Sequence, residues 1–180
     1  MMDLYVIRHG NTPSNTKGTM NGRLDEDISE LGIEQAKAAA PEIMKLPIDL
    51  ILCSPMKRTR HTMELINGNN VPVIFDDRLM ERDAGGYTGK ALTAMDRARY
   101  WNWYTGEDNG AETVQEICAR LRDALDEYRE KYAGKTLLLV THNGVSRAIY
   151  AYFNGIPADG NMRSAGSVKN CEVSKYSWEH

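Results

Sequence analysis

Short aliphatic runs alternate with amphipathic helical stretches along the chain, and this alternation constrains the fold more than any other feature. Leu4-Tyr5-Val6-Ile7 reads as a first strand, Leu50-Ile51-Leu52-Cys53 as a second, Val71 to Phe75 as a third and Thr136 to Thr141 as a fourth. The fourth is nearly all aliphatic, as expected for a strand covered on both faces. Glu172 to Trp178 reads as a last strand at an edge. Between them lie helical patterns. Ser29 is placed to cap a helix running to about Lys45, with Ile33, Ala36, Ala40 and Ile43 on one stripe. Ser54-Pro55 reads as an N-cap followed by proline at the first helical position, opening a helix to about Ile66. Val114, Ile117, Leu121, Leu125, Tyr128 and Tyr132 recur at helical spacing, and Gly134 suits the C-cap. A final helix spans Val145 to Phe153 and is ended by Gly155 and Pro157. This order predicts an α/β layered sheet with right-handed crossovers.

Residues 82–110 break the rhythm. Gly85, Gly86 and Gly89 precede an aromatic run, Tyr100-Trp101-Asn102-Trp103-Tyr104, which Gly106 and Gly110 follow. The expectation is an excursion from the sheet with a short helix, and not a linker. For Trp101 and Trp103, core packing and a substrate-contacting wall both stay open. With 180 residues, the chain suits one domain over 1–180 whose core needs no disulfide or metal.

Apolar residues make up 42% and charged residues 26%, which argues against a disordered or fibrous chain. No aliphatic run approaches membrane-spanning length. Met1-Met2-Asp3 carries neither a basic region nor a long apolar stretch, so no secretory signal is expected. The 22 basic and 25 acidic residues leave a net charge of −3. That balance disfavours broad nucleic-acid binding, so any anion site must be a local cluster of cations. Cys53, Cys118 and Cys171 form no CxxC pair, and a reduced, cytoplasmic setting is the expectation.

In sheets of this class, ligands bind beyond the carboxyl ends of the strands. After the first strand come Arg8-His9-Gly10-Asn11-Thr12 and then Asn15. After the second come Ser54 and Arg58, after the third Glu81, and after the fourth His142-Asn143-Gly144. Two histidines, two arginines and a carboxylate thus converge on one edge. Taken singly, His9 reads as a structural histidine, His142 as a cap on its strand, Arg58 as a solvated helix residue and Glu81 as a loop charge. Their joint occurrence at successive strand ends points to function. His61 reads as a helix-surface residue and His180 as a chain end.

The grouping suits a reacting phosphate. Arg8 and Arg58 offer forked donors matched to phosphate oxygens. The Ser54-Pro55 helix start would add free backbone N–H groups, and Gly10 would let the backbone approach a ligand. A neutral His9 imidazole can attack phosphorus, its neutrality favoured by neighbouring arginines. Glu81 would protonate the leaving alkoxide. A different chemistry is hinted at by Asp25-Glu26-Asp27-Ile28-Ser29, which fits the DxDx[TS]-like string of magnesium-dependent aspartyl-phosphate hydrolases. That string needs a buried hydrophobic strand before it, and Asn21-Gly22-Arg23-Leu24 is none. No GxSxG elbow and no Walker A loop occur.

These residues resemble the histidine phosphatase superfamily, also called phosphoglycerate mutase-like, over most of the chain. Leu4 to Asn15 resembles the family signature, and Asp25 to Ala36 resembles the segment that follows, with Asp27 where proline is usual. Ser54 to Thr59 with Thr62 resembles the second phosphate motif. Leu79-x-Glu81 with Gly85 and Gly89 resembles the acid-bearing loop, and Thr141 to Gly144 with Arg147 the last motif.

The resemblance implies a three-layer α/β/α sandwich with a mainly parallel central sheet. It implies a phosphohistidine on His9, with Arg8, Arg58 and His142 holding the phosphoryl group and Asn15 assisting. Glu81 would be the proton donor and later the base. Asn21, Gly22 and Asn143 fall where the family contacts substrate. No metal or organic cofactor is implied. Ala84, Thr88 and Ser14 depart from family patterns, and the stretch 90–112 is shorter than the basic insertion of the mutases, with only Lys90, Arg97 and Arg99. The expected activity is therefore hydrolysis of a small phosphomonoester metabolite. Mutase-type phosphoryl transfer and a non-catalytic phospho-ligand binding module are the alternatives, and the oligomeric state is left open.

Overall fold

The computed structural model describes residues 2–105 and 109–179; Gly106 and His180, read above as part of the excursion and as a chain end, lie outside them. Five strands form one sheet: β1 (Met2–Arg8), β2 (Leu50–Cys53), β3 (Val73–Phe75), β4 (Leu137–Thr141) and β5 (Val173–Trp178), in the order β3-β2-β4-β1-β5. β1, β2, β3 and β4 pair in parallel, and only the edge strand β5 runs antiparallel, against β1. Six α-helices are described: α1 (Pro13–Lys17), α2 (Glu30–Ile43), α3 (Lys57–Ile66), α4 (Arg97–Tyr100), α5 (Val114–Lys131) and α6 (Asn143–Asn154).

Alternation along the strands sends side chains to two separate cores. Leu4, Val6, Leu50, Leu52, Leu137 and Leu139 pack with Ile117, Leu121 and Leu125 of α5 and with Val145 and Ile149 of α6. Ile7, Ile51, Cys53, Leu138 and Val140 pack with Ala36, Ala40 and Ile43 of α2 and with Met63 and Ile66 of α3. The α/β/α layering follows directly. β4 is buried at every position because it lies inside the sheet with helices on both faces. Cys53, Cys118 and Cys171 are unpaired thiols, the first two buried. No described helix is long and apolar enough to cross a membrane.

Local signals explain most boundaries. Ser29 caps α2, its hydroxyl accepting from the Gly32 N–H. Thr113 and Glu116 form a reciprocal capping box at the start of α5. The C-cap of α5 is Tyr132; Gly134, with φ +81°, bends the chain two residues further on. Between β3 and α5 the chain leaves the sheet through three 3₁₀ turns and α4.

Two expectations need correction. Ser54-Pro55 does not open α3, whose N-cap is Met56. The N–H of Lys57 is taken by the Asp25 carboxylate at 2.8 Å, so this helix end presents its first donor to an acid of the protein itself. Gly10 is needed for packing rather than for ligand approach. A Cβ there would stand 2.5 Å from the carbonyl oxygen of Gly32, where the loop after β1 crosses α2. Gly10→Ala should therefore destabilise the fold by about 1–3 kcal/mol, the usual cost of overpacking. Urea unfolding measures it, and an unchanged midpoint would show that the crossing yields freely.

Candidate active site

The parallel register sets the site. Arg8 pairs with Thr141 and Cys53 with Val140, so β1, β4 and β2 end at nearly the same height. His9 donates its N–H to the Thr141 carbonyl at 3.0 Å, and Ser54 donates its own to Val140 at 3.0 Å. The residues that follow these three adjacent strands are consequently neighbours.

His9 is buried, and its Nδ1 lies 2.7 Å from the Gly10 carbonyl oxygen. A carbonyl only accepts, so Nδ1 carries the proton and the neutral ring keeps its lone pair on Nε2. The adjoining Gly10 N–H donates to Thr62 Oγ1, which itself donates to the Arg58 carbonyl. Burial, then the charges of Arg58 and Arg8, hold the His9 pKa well below the usual imidazole value, against a smaller opposite pull from the Gly10 bond.

Arg58 enters from the first turn of α3 and is fully buried. Its Nη1 donates to the Leu24 carbonyl at 2.7 Å, and its Nη2 to Gly22 at 2.9 Å. Its Nε donates to His142 Nδ1 at 3.2 Å. That bond leaves the His142 proton on Nε2, which lies 2.8 Å from Ser54 Oγ. The His142 ring meets the His9 ring edge-on, with centroids 5.2 Å apart. His142 is fully buried, and burial followed by the Arg58 charge also keeps its pKa well below the usual value.

A cavity of about 410 Å³ opens over this cluster. Arg8, His9, Arg58, Glu81, Asn15, Asn21, Gly22 and Asn143 all line it; His142 does not reach its surface. Arg8 donates from Nη1 to the Val168 carbonyl at 2.9 Å, while its Nε is buried without a partner. Glu81 is held by two backbone donors, Arg82 N–H on Oε1 at 2.8 Å and Gly144 N–H on Oε2 at 3.3 Å. A Cβ at position 144 would collide with that carboxylate, which explains the glycine.

The polar residues around the rim tie the loops together. Asn15 closes a capping box with Thr12 at the start of α1. Asn21 donates to Thr12 Oγ1 and Glu26 Oε1, and its Oδ1 is buried without a partner. Asn143 Oδ1 accepts from Ser167 Oγ and from the Val168 N–H.

Several contributors were not singled out in the sequence for the parts they take. Ser54 holds His142 rather than capping a helix. Asn170 donates to the His9 carbonyl at 2.8 Å from an irregular stretch with no periodic signal. Arg82, Tyr100 and Trp101 also line the cavity, with the Arg82 guanidinium 3.9 Å from the Tyr100 ring centre and 4.8 Å from that of Trp101. Trp101 thus belongs to the core and to the cavity wall at once. Tyr104 is 69% exposed. The Asp25 to Ser29 string lies in a loop after no strand. Among the described residues, no group of three or more His, Cys, Asp or Glu could hold a metal ion.

Two imidazoles and two guanidiniums are gathered where β1, β4 and β2 end, with the Glu81 carboxylate facing them from a loop, an arrangement suited to an anion. The family model of the histidine phosphatase superfamily (branch 1) matches residues 4–180, and the chain belongs to that superfamily. It is 32% identical over 164 residues to phosphoserine phosphatase 1 of Hydrogenobacter thermophilus, covering 87% of this chain and 78% of the relative. It is 28% identical over 188 residues to a probable phosphoglycerate mutase of Escherichia coli, covering 99% and 86%. Among solved structures, the mycobacterial glucosyl-3-phosphoglycerate phosphatase in complex with VO3 superposes with a TM-score of 0.85 at 27% identity, over 97% of this chain and 90% of that one. Bacillus stearothermophilus YhfR shares the fold with a TM-score of 0.89 at 24% identity, over 99% and 92%.

The two depressed imidazole pKa values predict a pH-dependent stability. In the unfolded chain both rings would take up protons below about 6.5, and the native state resists this. The unfolded state then binds more protons, so the contribution is present above pH 6.5 and is lost as pH falls below it. The thermal midpoint should drop between pH 7 and pH 5, and drop less in His9→Asn. A wild-type midpoint that holds steady over that interval would contradict the assignment.

Proposed function

We propose that this chain is a phosphomonoester hydrolase that works through a phosphohistidine on His9. The observation that carries the reading is the Nδ1 bond to the Gly10 carbonyl, which leaves Nε2 as the free nitrogen of a buried, neutral imidazole beside Arg8 and Arg58. In the first step the Nε2 lone pair forms a bond to phosphorus as the bond to the ester oxygen breaks. Glu81 gives its proton to the departing oxygen. In the second step Glu81 takes a proton from water, whose oxygen attacks phosphorus. The P–N bond breaks and inorganic phosphate leaves.

Charge on the transferring group falls to the guanidiniums, whose forked donors match its equatorial oxygens. Arg58 is aligned by the carbonyls of Gly22 and Leu24, and His142 sits against its Nε. His142 would reach the phosphoryl group once substrate draws its ring from Ser54. Asn15, Asn21, Gly22 and Asn143, on the cavity rim, are the proposed substrate contacts.

Hydrolysis is preferred to mutase-type transfer because the cover over the site is short. A mutase must keep water from the phosphohistidine, and residues 90–112 supply little chain to do so. The proposed substrate is a small phosphorylated metabolite. Two of the similar proteins named above, a phosphoserine phosphatase and a glucosyl-3-phosphoglycerate phosphatase, support that class. A binding module would need neither the free Nε2 nor the fixed carboxylate.

The test is hydrolysis of p-nitrophenyl phosphate with and without EDTA. Wild type should release nitrophenol in both, and His9→Ala should not. Arg58→Ala should lower kcat by about 10²–10³, as removal of a charge-stabilising donor does. Glu81→Gln should slow esters of poor leaving groups more than the nitrophenyl ester; equal slowing would remove Glu81 from the acid role. Full activity in His9→Ala would end the phosphohistidine reading.

A further inference from the structure

The cavity holds more positive charge than one phosphoryl group requires. Arg8, Arg58, Arg82, Arg97 and Arg147 line it, against the single carboxylate of Glu81. Arg58, held by Gly22, Leu24 and His142, is assigned above to the phosphoryl group. Arg82 donates to the carbonyls of Glu112 and Tyr100. Arg8 adjoins His9 in the cavity lining and is likewise assigned to the phosphoryl group. Arg147 and Arg97 are left over.

Arg147 lies on α6 and is 3% exposed. Its Nη1 donates to the carbonyls of Met162, Arg163 and Ala165. Its Nε is buried without a partner. No Nη2 bond is found among the described residues either, so one whole edge of the guanidinium is unsatisfied. A buried donor without an acceptor is costly, which favours a ligand that supplies one. That edge, Nε–H beside Nη2–H, matches the two oxygens of a carboxylate. The guanidinium carbon lies over the Trp101 ring, 5.1 Å from its centre.

Arg97 reaches the same cavity from α4. Among the described residues it makes no ion pair. Burial, opposed by Glu81, and then the charge of Arg97 bring the Arg147 pKa down to about 10. Two like charges therefore bear on each other across a cavity with open donors.

The position of the pair relates it to the leaving group. Gly144, whose N–H holds Glu81, lies three residues before Arg147 on the same face of α6. Arg147 thus leaves α6 about one turn after the residue whose N–H holds Glu81, the proposed proton donor.

We infer that Arg147 and Arg97 form a second anion site, which takes a carboxylate carried on the alcohol side of the substrate and selects phosphorylated hydroxy acids over uncharged phosphate esters. The inference rests on the hydrolase reading for its chemistry, but the site can be tested by binding alone.

A suitable probe pair is 3-phosphoglycerate and glycerol 3-phosphate, which share a three-carbon skeleton and differ in the carboxylate. The kcat/KM ratio of the first to the second should exceed ten in the wild type. It should fall at least tenfold in Arg97→Ala, mainly through KM, and recover in part in Arg97→Lys. Arg122→Ala, on the exposed face of α5, should leave the ratio alone. A wild-type ratio near one, or an Arg97→Ala change equal for both esters, would overturn the inference. If the wild type turns over no phosphate ester at all, the hydrolase reading fails separately. Dissociation constants of the same two esters then decide the site: a tenfold preference lost in Arg97→Ala supports it, and equal affinities overturn it.

Discussion

Three parallel strands that end at one height are the constraint on which the site depends. The register of β1 on β4, and of β4 on β2, brings His9, His142 and Ser54 to adjoining positions although long stretches of chain separate them. A slip of one residue in either ladder would turn a side chain to the opposite face and separate the two imidazoles. β2 and β4 are buried at every position and β1 at Met2, Leu4, Val6 and Ile7, so a slip is expensive: side chains fitted to one core would be moved into the other. The core thus fixes the relative position of the polar groups at its rim.

Above that frame, hydrogen bonds decide the state of each ring. The Gly10 carbonyl holds the His9 proton on Nδ1, and the Arg58 Nε–H holds the His142 proton on Nε2. Burial and the two guanidiniums disfavour a charge on either ring. A cationic imidazole has no lone pair to offer, so the same charges that would hold a phosphate also keep its proposed acceptor reactive. Glu81, fixed from two sides by backbone N–H groups, faces the cavity from a separate loop.

Much of this was legible in the sequence. Strand and helix periods show the layers, and the residues that follow each strand include His9, Arg58, Glu81 and His142. What the sequence could not show depended on the approach of segments distant in the chain. Ser54-Pro55 carries a strong local signal for a helix start, yet the Ser54 hydroxyl meets His142 and Asp25 caps Lys57 instead. The glycine at position 10 has the look of a ligand-facing turn, and its real neighbour is the backbone of α2. Asn170 and the leftover edge of Arg147 sit in or against irregular chain, where no period marks a role.

The central claim is that His9 accepts the phosphoryl group on Nε2, because Nδ1 is occupied. Rapid quenching of the wild-type protein after mixing with a phosphomonoester, under alkaline conditions that preserve phosphohistidine, followed by peptide mapping and phosphorus NMR, measures this directly. The account predicts a phosphorylated peptide containing His9, with phosphorus on Nε2. Phosphorus on Nδ1 or on another residue, or steady turnover with no labelled histidine in single-turnover quenches, would contradict it.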